Sequence, residues 1–476
     1  MATTNRYKRL FSNTLILGLG TLCSKAITII LMPLYTHYMS NSEYGIVELL
    51  VPAANLLIPL VSLGMNNAVL RFAMDGETDR KIVLSTGLAI DLIGYGAFLL
   101  FFPLVRAIPM FSEYTVWLYV FVFSSMIHYL FAYFVKTLQK VRLFAVCNII
   151  GTALTLLLGI LFLAVLKIGI VGYMLAIVLS DTICVVLFFI FAKLHRFISF
   201  NSIKRTITKA MLRYSIPLIP STALWWVTDM SDRYMVAWII DEAANGLYSI
   251  SYKIPNLLIL ISGVFMDAWQ MSILTEKSPL ERQTFFSRIF SVYQSLIFVS
   301  SSVLILTAKM VTRILVAESF YDSWQFIPTL VIAMAISNMV SFIGTIYTVE
   351  KRTKSALWTT ALGTVANVIG NYFLITAFGV QGAAISTALS YALVLLLRSI
   401  HTRRFIPIRW DLPRFITSSV LLIAQCVIMI AEVPYWVAIQ CVLLAVQLVL
   451  HYKPLIATVK QVIGKRLGKD SADEPM

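Results

Sequence analysis

GIVGYMLAIVLSDTICVVLFFIFAKLHRFISFNSIKRTITKAMLR, residues 169–213, is the stretch that decides the fold. Its first half is apolar for more than twenty residues, with Asp181 its single charged side chain; residues 193–213 then carry six Lys or Arg. An apolar helix of ~20 residues crosses ~30 Å of hydrocarbon. Cytoplasmic connections collect Lys and Arg. The stretch therefore reads as a transmembrane helix running into a cytoplasmic connection.

Working outward, the same reading gives fourteen spans, at 12–38, 45–70, 82–104, 115–135, 144–166, 170–192, 214–239, 246–272, 287–308, 325–348, 355–377, 380–397, 415–432 and 434–452. With the N-terminus inside, 31 of the 38 basic residues fall on the cytoplasmic side and four on the other, and Lys25, Arg233 and Lys253 remain within spans. Both termini are expected in the cytoplasm. The basic, then apolar, N-terminus is longer than a signal peptide and lacks a small-residue cleavage site, so it reads as the first span. The chain is 59% hydrophobic and 13% charged, against ~25% charged in soluble domains. Its net charge of +15 follows from positive-inside loops and excludes the need for a nucleic-acid partner. The fold class is an all-α polytopic membrane protein.

Two repeats divide the chain. YGIVELLVPAANLL from Tyr44 matches NGLYSISYKIPNLL from Asn245 at an offset of 201, pairing Gly45 with Gly246 and Asn55 with Asn256. GIVGYMLAIVLS from Gly169 matches GVQGAAISTALS from Gly379 at an offset of 210, pairing Gly172 with Gly382. Six spans per repeat keep both copies in one orientation, related by an axis along the membrane normal. The expected organisation is a six-helix lobe (1–192), a basic cytoplasmic linker (193–213), a second six-helix lobe (214–400), two additional spans (401–452) and a basic cytoplasmic tail (453–476), with a central cavity between the lobes.

Charge within hydrocarbon costs at least ~2.5–3.5 kcal/mol at a helix centre and normally faces a cavity or a partner. Lys25 lies near the middle of span one, too deep to snorkel; its alternatives are a cavity cation that binds an anion or a buried pair with an acid. Arg233 and Lys253 lie at similar depth toward the outer leaflet. An i,i+4 contact with Asp229 is the structural alternative for Arg233. Arg71 and Arg142 sit at the cytoplasmic face, where an anionic headgroup enters, and positive-inside anchoring explains them equally. Asp91, Asp181, Asp229, Asp232 and Asp267 are the acids within spans. Asp91, Asp181, Asp232 and His128 are the candidates for coupling to an H⁺ or Na⁺ gradient. The five cysteines lie in spans without metal spacing and read as packing residues.

No phosphate-binding loop, metal-ligand cluster or nucleophile elbow occurs. No cofactor is implied, and energy is expected from an ion, potential or substrate gradient. The outer connections, 105–114 and 309–324, are too short to hold a glycan for an outer-face enzyme such as a polymerase, so a non-enzymatic role is expected. A scaffold role would predict tolerance of Lys25→Ala.

The chain resembles the polysaccharide and oligosaccharide flippases, including Wzx-type O-antigen flippases, of the multidrug/oligosaccharidyl-lipid/polysaccharide exporter superfamily. The resemblance rests on IILMPLYTHYMSNSEYG (29–45), LVSLGMNNAVLRF (60–72), LRYSIPLIPSTALWWVTDMSDRYMV (212–236) and NGLYSISYKIPNLL (245–258), and in order and spacing it runs over nearly the whole chain. It implies a two-lobed helical fold, a bacterial inner-membrane location, and alternating-access movement of a polyprenyl-diphosphate-linked oligosaccharide to the outer leaflet. The diphosphate would be held by Lys25, Arg233 and Lys253, and membrane lipids and assembly proteins such as a polymerase would be partners. The alternative is an ion-coupled multidrug or organic-cation exporter of the same fold, whose cavity acids would dominate.

Overall fold

The computed structural model describes residues 31–75, 78–273, 279–350, 352–408 and 410–470. Lys25 and Cys23 lie outside the described residues, as does the side chain of Asp267. Among the described residues every regular element is helical. Eleven helices among the described residues are long and apolar enough to cross a membrane, and the chain is an all-α polytopic membrane protein.

Contacts divide the chain into two units, the first comprising Met1–Ala237, Asp241–Gly246 and Leu315–Ser319, the second Trp238–Ile240, Leu247–Ile314 and Phe320–Met476. The helices in chain order begin with α1 (31–38), α2 (Asn41–Val61), α3 (Met65–Asp75), α4 (Arg80–Leu99), α5 (Phe102–Arg106), α6 (Thr115–Thr137), α7 (Val141–Gly159), α8 (Gly169–Phe191) and α9 (Arg205–Ser215). They continue with α10 (Ile219–Ile239), α11 (Glu242–Ser251), α12 (Leu257–Ile273), α13 (Pro279–Leu315), α14 (Ile327–Val349), α15 (Thr353–Phe378), α16 (Val380–Thr402), α17 (Leu412–Ile430) and α18 (Trp436–Asp470).

Two spans differ from the sequence expectation in an informative way. The second span ends at Val61, and a left-handed turn at Leu63 (φ 50°) and Gly64 (φ 68°) sends the chain into the separate helix α3. The Gly64 N–H donates to the Pro59 carbonyl at 2.9 Å, a C-terminal cap that glycine adopts without steric cost. The eighth span is broken: α11 stops at Ser251, residues 252–256 form a turn, and α12 resumes at Leu257. Pro255 lies in that turn; it has no N–H for the helical ladder.

In the first unit α2 opens with a capping box, Ser40 and Glu43 each accepting the other's backbone N–H. The core at the expected cytoplasmic end joins Met65 and Val69 of α3, Leu130 and Phe134 of α6, and Phe188 of α8 to Met211 of α9. The basic linker therefore ends in an amphipathic helix that lays an apolar stripe on this unit. Gly169 and Gly379, paired by the sequence repeat, both have positive φ (54° and 60°) at the starts of α8 and α16, a conformation that glycine adopts without steric cost.

In the second unit, polar contacts fasten α17 alongside α13 in one register. Arg414 donates to Ser291, Ser302 donates to Gln425 at 2.8 Å, and Lys309 pairs with Glu432, all at a separation of 123 residues. His451 of α18 bridges Ser295 and Ser418 at 2.9 and 2.8 Å. Lys309 also lies over the rings of Trp324 and Trp436. The two helices beyond the repeat are thus tied to α13 along its length.

Candidate functional site

Near the start of α2 the repeat-paired glycines meet. A Cβ on Gly45 would lie 1.8 Å from the Glu242 carbonyl oxygen, and one on Gly246 would lie 2.0 Å from the Asn41 carbonyl oxygen. Glu242 follows Asn41 by the same 201 residues that separate the glycines, so the two approaches are symmetric copies of one contact. Asn245 Nδ2 donates to the Gly45 carbonyl at 2.9 Å. Backbones approach this closely only where both positions lack a side chain.

One turn further along α2 stands Glu48. Its carboxylate accepts from Tyr44 OH at 2.8 Å and from Arg233 Nη1 at 2.7 Å. The two charged side chains are 11% and 10% exposed. Tyr234 OH donates to the Leu49 carbonyl and Trp226 Nε1 to the Pro52 carbonyl, both at 2.7 Å. Three donors of α10 thereby follow α2 along its axis. Glu48 lies three residues and Arg233 four residues from the helix midpoints, ~5–6 Å at the helical rise. Arg233 thus pairs with Glu48 of another helix, while Asp229 lies one turn before it on α10. A buried pair of this kind costs its own desolvation, and removing one partner leaves a buried charge.

A second constellation joins α6 to α8. His128 Nδ1 and Asp181 Oδ1 are 2.7 Å apart, and Ser125 donates its hydroxyl to Asp181 Oδ2. The ring is stacked with those of Tyr129 and Phe188. His128 Nε2 is buried with no hydrogen-bond partner. The Asp181 carboxylate is thus held from two sides, by the imidazole and by the Ser125 hydroxyl. Asp91 of α4 is 1% exposed, and its Oδ1 has no hydrogen-bond partner. Asp91, His128 and Asp181 all lie within ~3 Å of the midpoints of their helices, counted along the axis.

The remaining expected positions scatter. Asp232 is buried beside Arg233 on α10. Lys253 lies half-buried in the 252–256 break of the second unit. Breaks of this kind are tolerated at membrane depth where they are buried in protein or line a water-filled cavity. Arg71 is exposed on α3 and pairs with Asp75 at 3.5 Å; such a surface pair contributes little. Arg142 is exposed at the start of α7.

Sequence reasoning overlooked two residues. Glu48 was legible as an acid inside an apolar run, GIVELLV. Arg398 falls just beyond the span expected at 380–397, whereas α16 continues to Thr402 and carries it inside the helix. No group of three or more His, Cys, Asp or Glu side chains is placed to hold a metal ion among the described residues.

Residues 10–269 match the family model described as polysaccharide biosynthesis protein. No curated protein matches significantly in sequence. Among solved structures, the chain is similar to the lipid II flippase MurJ in an inward closed conformation, with TM-score 0.66, 13% identity, and 94% of this chain and 99% of that one covered. It is similar to an inward-facing multidrug resistance MATE family transporter of the MOP superfamily, with TM-score 0.68, 13% identity, and 80% and 94% covered. It is also similar to a MATE in the straight conformation, with TM-score 0.54, 14% identity, and 82% and 93% covered. At these identities the likeness is one of fold.

Proposed function

Because the chain belongs to the polysaccharide biosynthesis protein family, we propose that it is a flippase carrying a polyprenyl-diphosphate-linked oligosaccharide from the cytoplasmic to the outer leaflet by alternating access. The observation that carries the reading is the set of charged side chains buried near mid-depth, Glu48 with Arg233 and His128 with Asp181. Hydrocarbon spans retain such groups where a polar cargo or an ion passes. A diphosphate dragged through lipid would bear a steep desolvation cost; cations inside the protein offset it while the polyprenyl tail stays in the bilayer.

The ion pair adds a detail to this reading. Arg233 reaches a diphosphate only by sharing or leaving Glu48, so binding and release stay balanced. Lys253, in the helix break, and Lys25 are the companion cations. Asp91 and the His128–Asp181 pair are the coupling groups for an H⁺ or Na⁺ gradient, with Asp232 beside Arg233. The protein on this reading consists of two six-helix lobes with two added spans. It resides in a bacterial inner membrane, both termini cytoplasmic, and delivers its cargo to assembly proteins such as a polymerase. Among the described residues no connection is long enough to form a soluble catalytic domain, which supports transport over enzymology.

The second reading, an organic-cation exporter, is favoured by Asp91, a buried acid whose Oδ1 has no hydrogen-bond partner. One experiment separates the two. The protein is reconstituted in liposomes with a polyprenyl-diphosphate oligosaccharide, and access of an added glycosidase to the inner-leaflet pool is followed. Protein-dependent exposure, reduced by Arg233→Gln and Lys253→Gln, is the expected result. No exposure with several glycans, together with efflux of organic cations, sinks the flippase reading.

A further inference from the structure

Arg398 stands four residues, ~6 Å along the axis, from the end of α16 that the charge asymmetry places in the cytoplasm. A long basic side chain so close to an interface ordinarily extends to water. Arg398 turns the other way. Its Nη1 donates to the Val340 carbonyl of α14 at 2.9 Å, its Nη2 to Thr360 Oγ1 at 3.0 Å, and its Nε to Thr359 Oγ1 at 3.2 Å, both of α15. Val340 is nine residues from the same end of α14, so the guanidinium is drawn toward the membrane interior.

The fold makes room for it. A Cβ on Gly344 would lie 2.5 Å from Arg398 Nη1, so any larger residue there displaces the group. Tyr347 lies 5.9 Å from the guanidinium carbon on the same helix, and its hydroxyl hydrogen-bonds His401 Nδ1 at 3.0 Å.

What the site lacks among the described residues is a negative charge. All three acceptors are neutral, and no ion pair joins Arg398. The sequence explains why: between residues 323 and 410 the single acid is Glu350, against Lys351, Arg352, Lys354, Arg398, Arg403, Arg404 and Arg409. A guanidinium has five N–H donors; three are used, and each terminal nitrogen keeps one. A pre-positioned, half-buried, uncompensated fork of this kind matches the paired oxygens of a phosphate.

We infer that Arg398, positioned by Thr359, Thr360, Val340 and Gly344, is a binding site for a phosphate ester at the cytoplasmic side of the second unit. The ligand chemistry has two sources, the diphosphate of a lipid-linked substrate and the headgroup of an anionic phospholipid. The first source rests on the flippase reading; the site itself does not. A purely structural clamp would hold the three helices together and ignore anions.

The test uses the full chain in nanodiscs of phosphatidylcholine, with and without phosphatidylglycerol, and follows thermal unfolding while inorganic pyrophosphate is titrated. Wild type is expected to gain thermal stability with pyrophosphate. Arg398→Gln should bind it about ten- to a hundredfold more weakly, the weight of charge-assisted hydrogen bonds, and Arg398→Lys should fall between. If Arg398→Gln does not fold, Gly344→Ala keeps the charge, displaces the fork and should weaken binding likewise. Stabilisation by phosphatidylglycerol alone, lost in these variants, supports the site and assigns it to the lipid headgroup. No Arg398-dependent response to either anion overturns the inference. Flipping without such a response leaves the flippase reading intact; an Arg398-dependent response without flipping leaves the site and removes that reading.

Discussion

Replacing Gly45 and Gly246 by alanine, singly and together, probes the symmetric contact that opens α2 and α11. The Cβ of Gly45→Ala falls 1.8 Å from the Glu242 carbonyl oxygen, and that of Gly246→Ala 2.0 Å from the Asn41 carbonyl oxygen, whereas ordinary contact begins near 3.4 Å. The obstructing atoms are backbone, so no side chain can turn aside. The two helix starts must separate by roughly half a contact distance, stretching the Asn245–Gly45 hydrogen bond of 2.9 Å. Overpacking of this kind costs about 1–3 kcal/mol, and the hydrogen bond contributes about 1 kcal/mol of that. Either substitution opens the same contact, so the second should add little once the first is present. The double variant is expected to cost at least about 1 kcal/mol less than the sum of the singles. Unfolding in mixed micelles titrated with SDS measures all four corners of the cycle. Additive effects, or single losses below about 0.5 kcal/mol, would show that the glycines do not share one close approach.

Three further outcomes are expected. Arg233→Gln or Glu48→Gln alone should cost about 3–5 kcal/mol by leaving a buried charge, and the double variant markedly less; a double-variant loss equal to the sum of the single losses, read in the same unfolding titration, would mean that the pair is not coupled. Flipping by reconstituted wild type under an imposed H⁺ or Na⁺ gradient should respond to that gradient, and His128→Gln and Asp181→Asn should each lose the response; an unchanged response in both removes the pair from coupling. Gln447 is fully buried with neither amide atom hydrogen-bonded, so Gln447→Leu should raise stability by about 1–2 kcal/mol; a loss instead would show that the amide is satisfied by bound water or ligand.

The fold was legible because a bilayer imposes a length and an apolar composition on every helix that crosses it. The run 169–191 and ten like it needed nothing beyond their own residues. The broken eighth span was harder to read: Pro255 announced an interruption, but proline in a membrane helix also produces mere kinks. His128 and Asp181 were both singled out as candidates, and their spacing of 53 residues gave no hint that they are partners. Glu48 was visible as an acid in an apolar run, yet that it neutralises Arg233, 185 residues away, depends on how α2 and α10 lie together. For Arg398 a helix end misplaced by five residues made a half-buried helical cation look like a loop anchor.

By itself the sequence determined the span pattern, the side bias of the basic residues and the repeat that pairs Gly45 with Gly246, because hydropathy, charge placement and local self-similarity are properties of contiguous residues. Tertiary structure alone decided which buried charges are paired, which helix carries Arg398 inward and that the repeated glycines touch. Those facts depend on the rotation and register of helices remote in the chain, and a helix's own residues specify its apolar face without specifying the neighbour that covers it.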